Sequence, residues 1–358
     1  MKRVGILTSG GDCQGLNAAI RGVAKGLYQQ FGDKVEIYGI KDGYKGLIFG
    51  EYKKMKPEDF SGILTLGGTL LGTSRQPFKL MRVIDETSVD KVQNMMDNYK
   101  KMKLDCLVIL GGNGTQKTAN LLREEGLNVI HLPKTIDNDV WGTDVTFGFH
   151  SSVETATDVI DRLHTTATSH GRIFIVEVMG HKVGWLTLYA GIAGGADVIL
   201  LPEIPYDINK VAKTLQQRID SGKKFSILAV AEGALSKEEG KMSKKEFKKA
   251  RADFQHPSIV YRIAEELAGK IDNEIRVCVP GHYQRGGSPC AYDRVLCTQL
   301  GATAAKFIEE KTFGVMVGMV NGQCVPVPLE DVAGKLKTVP VDCNEIKAAR
   351  QIGISFGD

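Results

Sequence analysis

Short apolar runs rich in Val, Ile and Leu alternate along the chain with longer stretches whose apolar positions recur every three to four residues. The short runs predict strands at residues 4–8, 35–40, 105–110, 127–131, 173–178, 198–201, 226–231, 274–279 and 314–320. The longer stretches predict helices at residues 16–31, from the 111–115 turn to 122, and at 152–166, 185–192, 208–220, 258–268 and 295–310. Because such alternation is typical of βα units on a mostly parallel sheet, we expect an α/β protein.

Glycine-rich turns follow two of the predicted strands. Ser9-Gly10-Gly11-Asp12 follows the first strand, and Gly111-Gly112-Asn113-Gly114-Thr115 follows the third, each ahead of a helix. Glycine lets the backbone approach a bound group, and the helix N-terminus presents free N–H groups. Gln116 stands where a Walker A loop needs glycine, and no GxGxxG motif follows any strand, which argues against a dinucleotide site. The two turns together suit a polyphosphate.

A polar loop follows the strand predicted at residues 127–131. Thr135, Asp137, Asn138 and Asp139 bring a hydroxyl, an amide and two carboxylates into five residues that show no helical period. In α/β proteins, binding and catalytic groups gather at the carboxyl ends of parallel strands. For this loop taken alone, a helix N-cap with neighbouring acids is the alternative. The two glycine turns favour a functional site.

Length and composition fit a globular protein of two domains. The chain has 358 residues, 42% hydrophobic and 25% charged, and at roughly 150 residues per domain this length suggests two. A net charge of +4 argues against nucleic acid or an acidic membrane as a partner. The 7 cysteines are scattered without CxxC spacing, which fits a reducing cytoplasm. The first residues predict a strand and not a signal peptide, and no apolar run approaches the ~18 residues of a membrane helix.

Basic side chains recur in loops after predicted strands. They are Arg75, Lys134, Arg172, Arg276 and Arg285, with His181 and His282 beside them. Each alone is typical of a surface charge, but five at loop junctions favour phosphate groups, which guanidinium forks bind well. The lysine-rich run at residues 237–249 instead predicts a solvated surface loop and helix.

Several sequence blocks resemble those of the 6-phosphofructokinase family and occur in the family's order, over residues 2 to about 300. The blocks are SGGD at residues 9–12, NAAIR at 17–21, GGNGT at 111–115, PKTIDND at 133–139, SHGR at 169–172, EVMG at 177–180, AGG at 193–195 and GHYQRGGSP at 281–289. The TIDND and HYQRGGSP blocks make the resemblance specific. NAD kinases and lipid kinases share only a similar Gly-Gly-Asp-Gly-Thr turn.

The resemblance implies two Rossmann-like, three-layer α/β/α domains with mostly parallel sheets and the active site in the cleft between them. Residues 1–138 plus about 257–304 would form the donor domain. Residues 139–256 plus about 305–325 would form the sugar-phosphate domain, and residues 326–358 a helical tail.

The implied reaction is transfer of a phosphoryl group from ATP to the 1-hydroxyl of fructose 6-phosphate, giving fructose 1,6-bisphosphate and ADP. Asp137 would be the general base, Thr135 would hydrogen-bond near the transferring group, and Arg75 would neutralise the phosphoryl oxygens. The donor would contact Gly11, Tyr44, Arg75, Gln76, Gly112, Asn113, Gly114, Thr115 and Lys134. The sugar phosphate would contact Thr135, Asp137, Arg172, Met179, Gly180, His181, Glu232, Arg276, His282 and Arg285. The Mg²⁺ ligands would be Asn113, Asp137 and Asp139.

Departures from the family pattern bear on the phosphoryl donor. Asn113 stands where ATP-dependent bacterial relatives usually carry Asp, and an amide is a weaker oxygen ligand than a carboxylate. Lys134 replaces a common glycine and is shared with pyrophosphate-dependent relatives. Gly114 indicates ATP, because pyrophosphate-dependent relatives typically carry Asp there, which would collide with and repel the α-phosphate of ATP. ATP with Mg²⁺ is thus preferred, and pyrophosphate is the alternative donor.

Other hypotheses concern catalysis, assembly and regulation. His181 replaces the usual arginine, which weakens that contact and makes it sensitive to pH. His181 and Asn113 together make a weakly catalytic phosphosugar sensor one alternative, and the retained Asp137 and Arg75 argue against it. A Rossmann-type oxidoreductase is the other, and the missing GxGxxG argues against it. In similar enzymes Arg172 and Arg276 reach across from a neighbouring subunit, which implies a homotetramer or a dimer. Arg21 and Lys25 match basic effector positions and imply allosteric control, with exposed helix charges as the alternative.

Overall fold

A computed structural model describes residues 1–84, 89–252 and 254–358, which form two compact units. The first unit comprises Met1–Ser151 and Arg285–Lys337, and the second comprises Ser152–Gln284 and Thr338–Asp358. Each unit is built on its own sheet, so the predicted α/β class with two domains is confirmed. None of the helices in the described part of the chain combines the length and the hydrophobicity that a bilayer-spanning segment needs.

Strands and helices alternate through most of the chain. The strands are β1 (Lys2–Thr8), β2 (Val35–Ile40), β3 (Tyr52–Met55), β4 (Cys106–Gly111), β5 (Val129–Pro133), β6 (Ile173–Val178), β7 (Val198–Leu200), β8 (Ser226–Ala231), β9 (Ile275–Cys278), β10 (Val315–Val320) and β11 (Gln323–Pro328). The helices are α1 (Leu16–Phe31), α2 (Tyr44–Phe49), α3 (Lys91–Lys101), α4 (Asn113–Glu124), α5 (Phe149–His170), α6 (Trp185–Ala193), α7 (Ile208–Asp220), α8 (Lys237–Gly240), α9 (Lys244–Ala252), α10 (Ile259–Ala268), α11 (Ala291–Glu309), α12 (Leu329–Val332) and α13 (Asn344–Gln351).

The sheet of the first unit has the strand order β11-β10-β5-β4-β1-β2-β3. Its five inner strands are parallel, whereas the edge strands β3 and β11 pair antiparallel with their neighbours. β4 and β5 are buried on both faces, as expected for strands covered by helices on either side. Because β5, β4 and β1 are neighbours, the loops that leave their carboxyl ends meet at one edge of the sheet.

The second unit has a parallel sheet with the strand order β7-β8-β6-β9. Its core contains fully buried side chains of β6, β7 and β8, including Ile175, Leu200 and Leu228, packed with apolar residues of α7 and α10. The carboxyl ends of β6 and β8 lead into the turns that follow Val178 and Ala231.

The unit boundaries differ from the predicted domains. Residues 257–284 belong to the second unit because β9 pairs with β6, whereas residues 305–325 belong to the first because β10 pairs with β5. The predicted tail is also divided, since residues 326–337 lie in the first unit and Thr338–Asp358 in the second. Strand pairing between segments far apart in sequence decides these assignments.

Candidate active site

A cavity of about 340 Å³ lies where β1, β4 and β5 end in the first unit. Its lining contains most of the predicted donor-side and catalytic residues. The full lining is Ser9, Gly10, Gly11, Arg75, Gln76, Pro77, Gly112, Asn113, Gly114, Thr115, Lys134, Thr135, Asp137, Asp139 and Arg285. The loops after three neighbouring strands thus supply one polar cavity, as the strand order requires.

The turn after β4 leads directly into α4. Gly112 is the N-cap, so Asn113, Gly114 and Thr115 form the first turn, whose N–H groups have no intrahelical partner. Thr115 packs so closely on Gly111 that a Cβ there would overlap its side chain. Nothing lies within 4 Å of a Cβ placed on Gly114, so this position is open. Together with the helix dipole, these N–H groups form a site for an anion.

Hydrogen bonds attach the loop that carries Arg75 to the first glycine turn. Gly10 donates its N–H to the carbonyl of Ser74 at 3.1 Å, and the Thr73 hydroxyl donates to the carbonyl of Gly10 at 2.7 Å. Further back, the Asn17 side chain bonds the backbone of Leu66, Gly67 and Leu70. These bonds place the exposed Arg75 and its neighbour Gln76 at the cavity.

The loop that carries Asp137 is held by side-chain hydrogen bonds to its own backbone. Asp137 donates its N–H to the Thr135 hydroxyl at 3.0 Å. The Thr146 hydroxyl donates to the carbonyl of Thr135 at 2.7 Å, and the Thr146 N–H donates to Oδ1 of Asn138 at 3.1 Å. Asn138 adopts a left-handed conformation with φ 52°, which asparagine tolerates better than most residues. The loop is therefore fixed on both sides of Asp137.

Two cations stand beside the first glycine turn. The Lys134 side chain is 4% exposed and donates from Nζ to the carbonyl of Gly11. Burial lowers the pKa of Lys134 below its ordinary value, and Asp137 and Asp12 partly oppose this shift. Arg285 donates from Nη1 to the carbonyl of Asp12 at 3.2 Å and lies against Gly11. The cavity therefore offers positive charge opposite the first turn of α4.

Asn113 and two aspartates give the cavity oxygen atoms suited to a hard cation. Asn113 donates from Nδ2 to Oδ2 of Asp139 at 2.7 Å. Its Oδ1 is buried and has no hydrogen-bond partner within the described part of the chain. Asp137 and Asp139 line the same cavity. Oxygen atoms of this kind fit Mg²⁺, which usually takes one or two carboxylates together with substrate phosphates and water.

The predicted sugar-contacting residues of the second unit gather around Glu232. Oε1 of Glu232 accepts the N–H of His181 at 2.7 Å and the N–H of Gly180 at 3.3 Å. A Cβ on Gly233 would overlap the carbonyl of His181, so glycine is required for this approach. His181 and Glu232 line a cavity of about 540 Å³ with Lys182, Pro202, Gly233, Leu235, Lys244, Phe247 and Arg251. The N–H of Met179 donates to Oε1 of Gln284 at 3.1 Å.

Arg172 and Arg276 share one carboxylate at the edge strand of the second unit. Both guanidinium groups donate to Glu274, and the Arg172 bond is the main reason that the pKa of this carboxyl lies below its usual value. Glu274 and Arg276 are exposed, as is His282. These cations are therefore brought together, but outside the cavity that contains Glu232.

Two predicted placements differ in the structure. Tyr44 is 1% exposed and lies beneath the α4 turn, not in the cavity, because its hydroxyl donates to the carbonyl of Thr115 at 2.8 Å. Arg285, predicted with the sugar-binding residues, lies in the first unit beside Gly11. The lysine-rich run at residues 237–249 is exposed along most of its length, as predicted, and Glu239 is its buried residue.

Other cavity residues were not predicted as ligand contacts. Ser9 and Gly10 belong to the glycine turn predicted to suit a polyphosphate, but like Pro77 they were not named as donor contacts, and the flanking turns were the available signal. Lys337 lies outside the cavity lining but bonds the loop after Asp137; it follows α12 and has no motif around it. Burial lowers the pKa of Lys337 to about 8.

Comparison with known proteins agrees with this architecture. The sequence matches the phosphofructokinase family over residues 3–308. A Spirochaeta thermophila protein named ATP-dependent 6-phosphofructokinase is 56% identical over 357 residues, which cover 99% of this chain and 97% of the relative. A Propionibacterium freudenreichii protein of the same name is 48% identical over 377 residues, which cover 99% of each chain.

Solved structures share the fold. Phosphofructokinase from Pichia pastoris in the T-state superposes with a TM-score of 0.79 at 32% identity, and the match covers 93% of this chain but only 35% of that longer chain. A pyrophosphate-dependent phosphofructokinase from Nitrosospira multiformis superposes with a TM-score of 0.82 at 18% identity, covering 100% of this chain and 93% of that chain. The second likeness concerns the fold alone. From the sequence matches and the shared fold together, this chain belongs to the phosphofructokinase family.

Proposed function

We propose that this chain is an ATP-dependent 6-phosphofructokinase, which phosphorylates the 1-hydroxyl of fructose 6-phosphate and releases fructose 1,6-bisphosphate and ADP. One observation carries the proposal. A single cavity of the first unit combines two glycine turns, the free N–H groups of α4, the cations Arg75 and Lys134, and the carboxylate of Asp137. Phosphoryl transfer needs such a combination, because catalysis is mostly positioning and stabilisation of charge.

In the proposed mechanism, Asp137 takes the proton of the sugar 1-hydroxyl as that oxygen attacks the terminal phosphorus of ATP. A positioned base of this kind contributes roughly 10²- to 10⁴-fold to the rate. Thr135 accepts the N–H of Asp137 and so holds the backbone behind the base. Arg75 neutralises charge on the transferring group, and the N–H groups of residues 113–115 bind phosphate oxygens of the donor.

The donor-side cations have distinct proposed roles. Lys134, bonded to the carbonyl of Gly11, keeps the first glycine turn in place and faces the donor phosphates. Asn113, Asp137 and Asp139 would hold Mg²⁺, which when bound adds positive charge next to the phosphate oxygens. The orphaned Oδ1 of Asn113 supports this assignment.

Residues of the second unit bind the sugar phosphate in this proposal. Glu232, together with the Met179, Gly180 and His181 turn that it bonds, contacts the sugar hydroxyls. Arg172, Arg276 and His282 bind the 6-phosphate. The guanidinium groups of Arg172 and Arg276 lie at an edge strand, which supports a homotetramer in which they serve the site of a neighbouring subunit.

A cytoplasmic location and effector control complete the proposal. The scattered free cysteines support a reducing compartment. Lys25 is exposed on α1 and Arg21 is partly exposed, so both side chains are accessible to an anionic effector.

A coupled spectrophotometric assay tests the proposal with purified wild type and an Asp137→Asn variant. Each protein receives fructose 6-phosphate and Mg²⁺ with either ATP or pyrophosphate. We expect turnover with ATP in the wild type and a loss of roughly 10²- to 10⁴-fold in kcat in the variant, which keeps the side-chain size but cannot act as the base. Equal turnover by the two proteins would overturn the role of Asp137.

Pyrophosphate remains the second candidate donor because Lys134 is buried in the donor cavity. The relatives at 56% and 48% identity carry names that specify ATP, and the open position at Gly114 also supports ATP. Faster turnover with pyrophosphate than with ATP would reverse this choice.

A further inference from the structure

A late segment of the first unit returns to the loop that carries Asp137. Leu336 forms an isolated antiparallel bridge with Val140, and the N–H of Lys337 donates to the carbonyl of Asp139 at 2.9 Å. These contacts are made by the backbone, so they fix the position of residue 337 whatever its side chain.

The side chain of Lys337 is half-buried and turns toward three oxygen atoms of the same loop. Nζ lies 2.8 Å from Oδ1 of Asn138, 2.9 Å from the carbonyl oxygen of Thr143 and 2.9 Å from that of Asp144. An ammonium group has three N–H donors and therefore matches this set of acceptors. Since Thr143 is buried, loss of the ammonium would remove this donor from its carbonyl oxygen, and Oδ1 of Asn138 would keep only the Thr146 N–H.

The three acceptors lie at the two ends of the turn at residues 138–144, which directly follows Asp137. Asn138, next to Asp137, is held in its left-handed conformation with Oδ1 shared between Lys337 and the Thr146 N–H. Thr143 and Asp144 are at the far side of that turn. Lys337 thus connects the two ends of this turn. The hydrogen bond from the Thr146 hydroxyl to the carbonyl of Thr135 connects the residues on either side of it.

We propose that Lys337 is a positioning residue for phosphoryl transfer, whose ammonium group holds Asn138 against residues 143–144 and so keeps the Asp137 carboxylate in its reactive orientation. This inference rests on the proposed function, because it requires Asp137 to act on the sugar hydroxyl. Lys337 lies outside the cavity lining, and apart from Lys134 the groups assigned to ATP are on other loops. A small displacement of a catalytic group lowers the rate of the chemical step steeply, whereas ground-state binding changes little.

The test compares Lys337→Met, Lys337→Arg and the wild type under saturating ATP and Mg²⁺. Methionine keeps the length and the apolar stem but has no N–H donor, whereas arginine restores the charge and the donors. We expect Lys337→Met to lower kcat by about 10- to 100-fold with less than about a threefold change in either KM. We expect Lys337→Arg to recover most of kcat. Lys335→Met, an exposed lysine two residues away, is the matched control and keeps wild-type kinetics.

Thermal unfolding of each variant is measured first, and kinetics are recorded well below the midpoint so that the folded fraction is equal. A kcat within twofold of wild type in Lys337→Met, or no recovery in Lys337→Arg, overturns the inference. If the Met variant does not fold, Lys337→Gln, which has two N–H donors, replaces it in the comparison. We then expect kcat to fall about 3- to 10-fold, and a kcat within twofold of wild type again overturns the inference. An inactive wild type would instead refute the proposed function, so the two failures are distinguishable.

Discussion

Asn113 donates two hydrogen bonds to Asp139, from Nδ2 to Oδ2 at 2.7 Å and to the backbone carbonyl at 3.1 Å. The first residue of α4 is thereby tied to the loop after β5. The amide neutralises no charge, so it holds the Asp139 carboxylate by a hydrogen bond alone while its own Oδ1 remains without a partner among the described residues. At this contact an amide favours the stability of the folded protein, whereas a carboxylate would favour affinity for a cation.

Replacement of Asn113 by Asp should lower the stability of the protein and raise its affinity for Mg²⁺. The variant places two carboxylates within hydrogen-bond distance, so without a divalent cation we expect a loss of about 2 kcal/mol in the free energy of unfolding. With Mg²⁺ the additional charge should lower the half-saturating metal concentration about tenfold, which corresponds to ~1.4 kcal/mol of added attraction. Thermal melts and initial rates over a Mg²⁺ series measure both effects.

Asn120→Asp is the matched control, because Asn120 lies on the same helix and donates to the carboxylate of Glu124 at 2.9 Å. It also brings two carboxylates together, but on an exposed surface away from the cavity. The control should lose some stability and keep the Mg²⁺ dependence of the wild type. An Asn113→Asp variant with unchanged Mg²⁺ dependence would remove this residue from the metal site.

Gly114→Asp separates nucleotide binding from folding. A Cβ at this position meets no atom within 4 Å, and the new carboxylate would lie in the first turn of α4, where the helix dipole stabilises negative charge by about 0.3–1 kcal/mol. We therefore expect an unchanged or slightly higher melting temperature. ATP turnover should fall at least tenfold, since the side chain enters the donor cavity.

Gly114→Asn distinguishes bulk from charge in the same assay. Asparagine has nearly the same shape, so an equal loss with both variants indicates steric exclusion of the nucleotide, and a loss confined to Asp indicates repulsion of its phosphates. ATP turnover that survives Gly114→Asp unchanged would contradict the assignment of this turn to the nucleotide.

The inner strands and the catalytic loop were predictable because their signals are local. β2, β6 and β8 were predicted with the bounds that the structure has, since each is a short apolar run between polar turns. β3 was missed because an exposed edge strand with the sequence Tyr-Lys-Lys-Met has no apolar face. β11 was missed because its two prolines are tolerated only at an edge.

Long-range contacts explain the remaining differences. Sequence motifs indicated the glycine turns, Arg75 and Asp137, and the structure places all of them around one cavity. Whether Tyr44 faces that cavity or supports the α4 turn from beneath depends on α2 packing against the core, which no motif records. The same holds for Arg285, whose position follows from the unit to which its segment belongs.

Tyr44→Phe tests the supporting role of this side chain. The buried hydroxyl donates to the carbonyl of Thr115 at 2.8 Å, so its removal should lower the free energy of unfolding by about 1 kcal/mol. The KM for ATP should stay within twofold, because Tyr44 does not line the cavity. Chemical denaturation and steady-state kinetics provide the two measurements. A large rise in the KM for ATP with no loss of stability would instead place the hydroxyl on the donor.

A buried ion pair in the second unit should control both its stability and its acid sensitivity. The Glu239 carboxylate accepts from both terminal nitrogens of Arg262, at 2.9 and 2.8 Å, and lies 3.3 Å from Nε of Arg251. Arg251 in turn lines the cavity next to Glu232. Glu239→Gln removes the carboxylate that both guanidinium groups share and leaves Arg262 with Glu266 at 3.6 Å, so we expect a loss of about 3 kcal/mol and a higher KM for fructose 6-phosphate.

The pH dependence of this loss follows from the ion pair. Burial alone would raise the pKa of Glu239, but the hydrogen bonds from Arg262 and from the Ser236 N–H outweigh burial and hold the pKa below 4.5. A carboxyl with a lowered folded-state pKa stabilises the protein above its unfolded-state pKa and loses that contribution as the pH falls through the folded-state value. Wild type and Glu239→Gln should therefore differ most at neutral pH and converge as the pH falls through the folded-state pKa of Glu239. Glu265→Gln, on the same helix as Arg262 and with a side chain that is 75% exposed, is the control and should change little at either pH. Urea unfolding from pH 7 to pH 3.5 measures the difference in the free energy of unfolding between wild type and Glu239→Gln. If this difference stayed constant over the range, the carboxylate charge would not be what stabilises this part of the second unit.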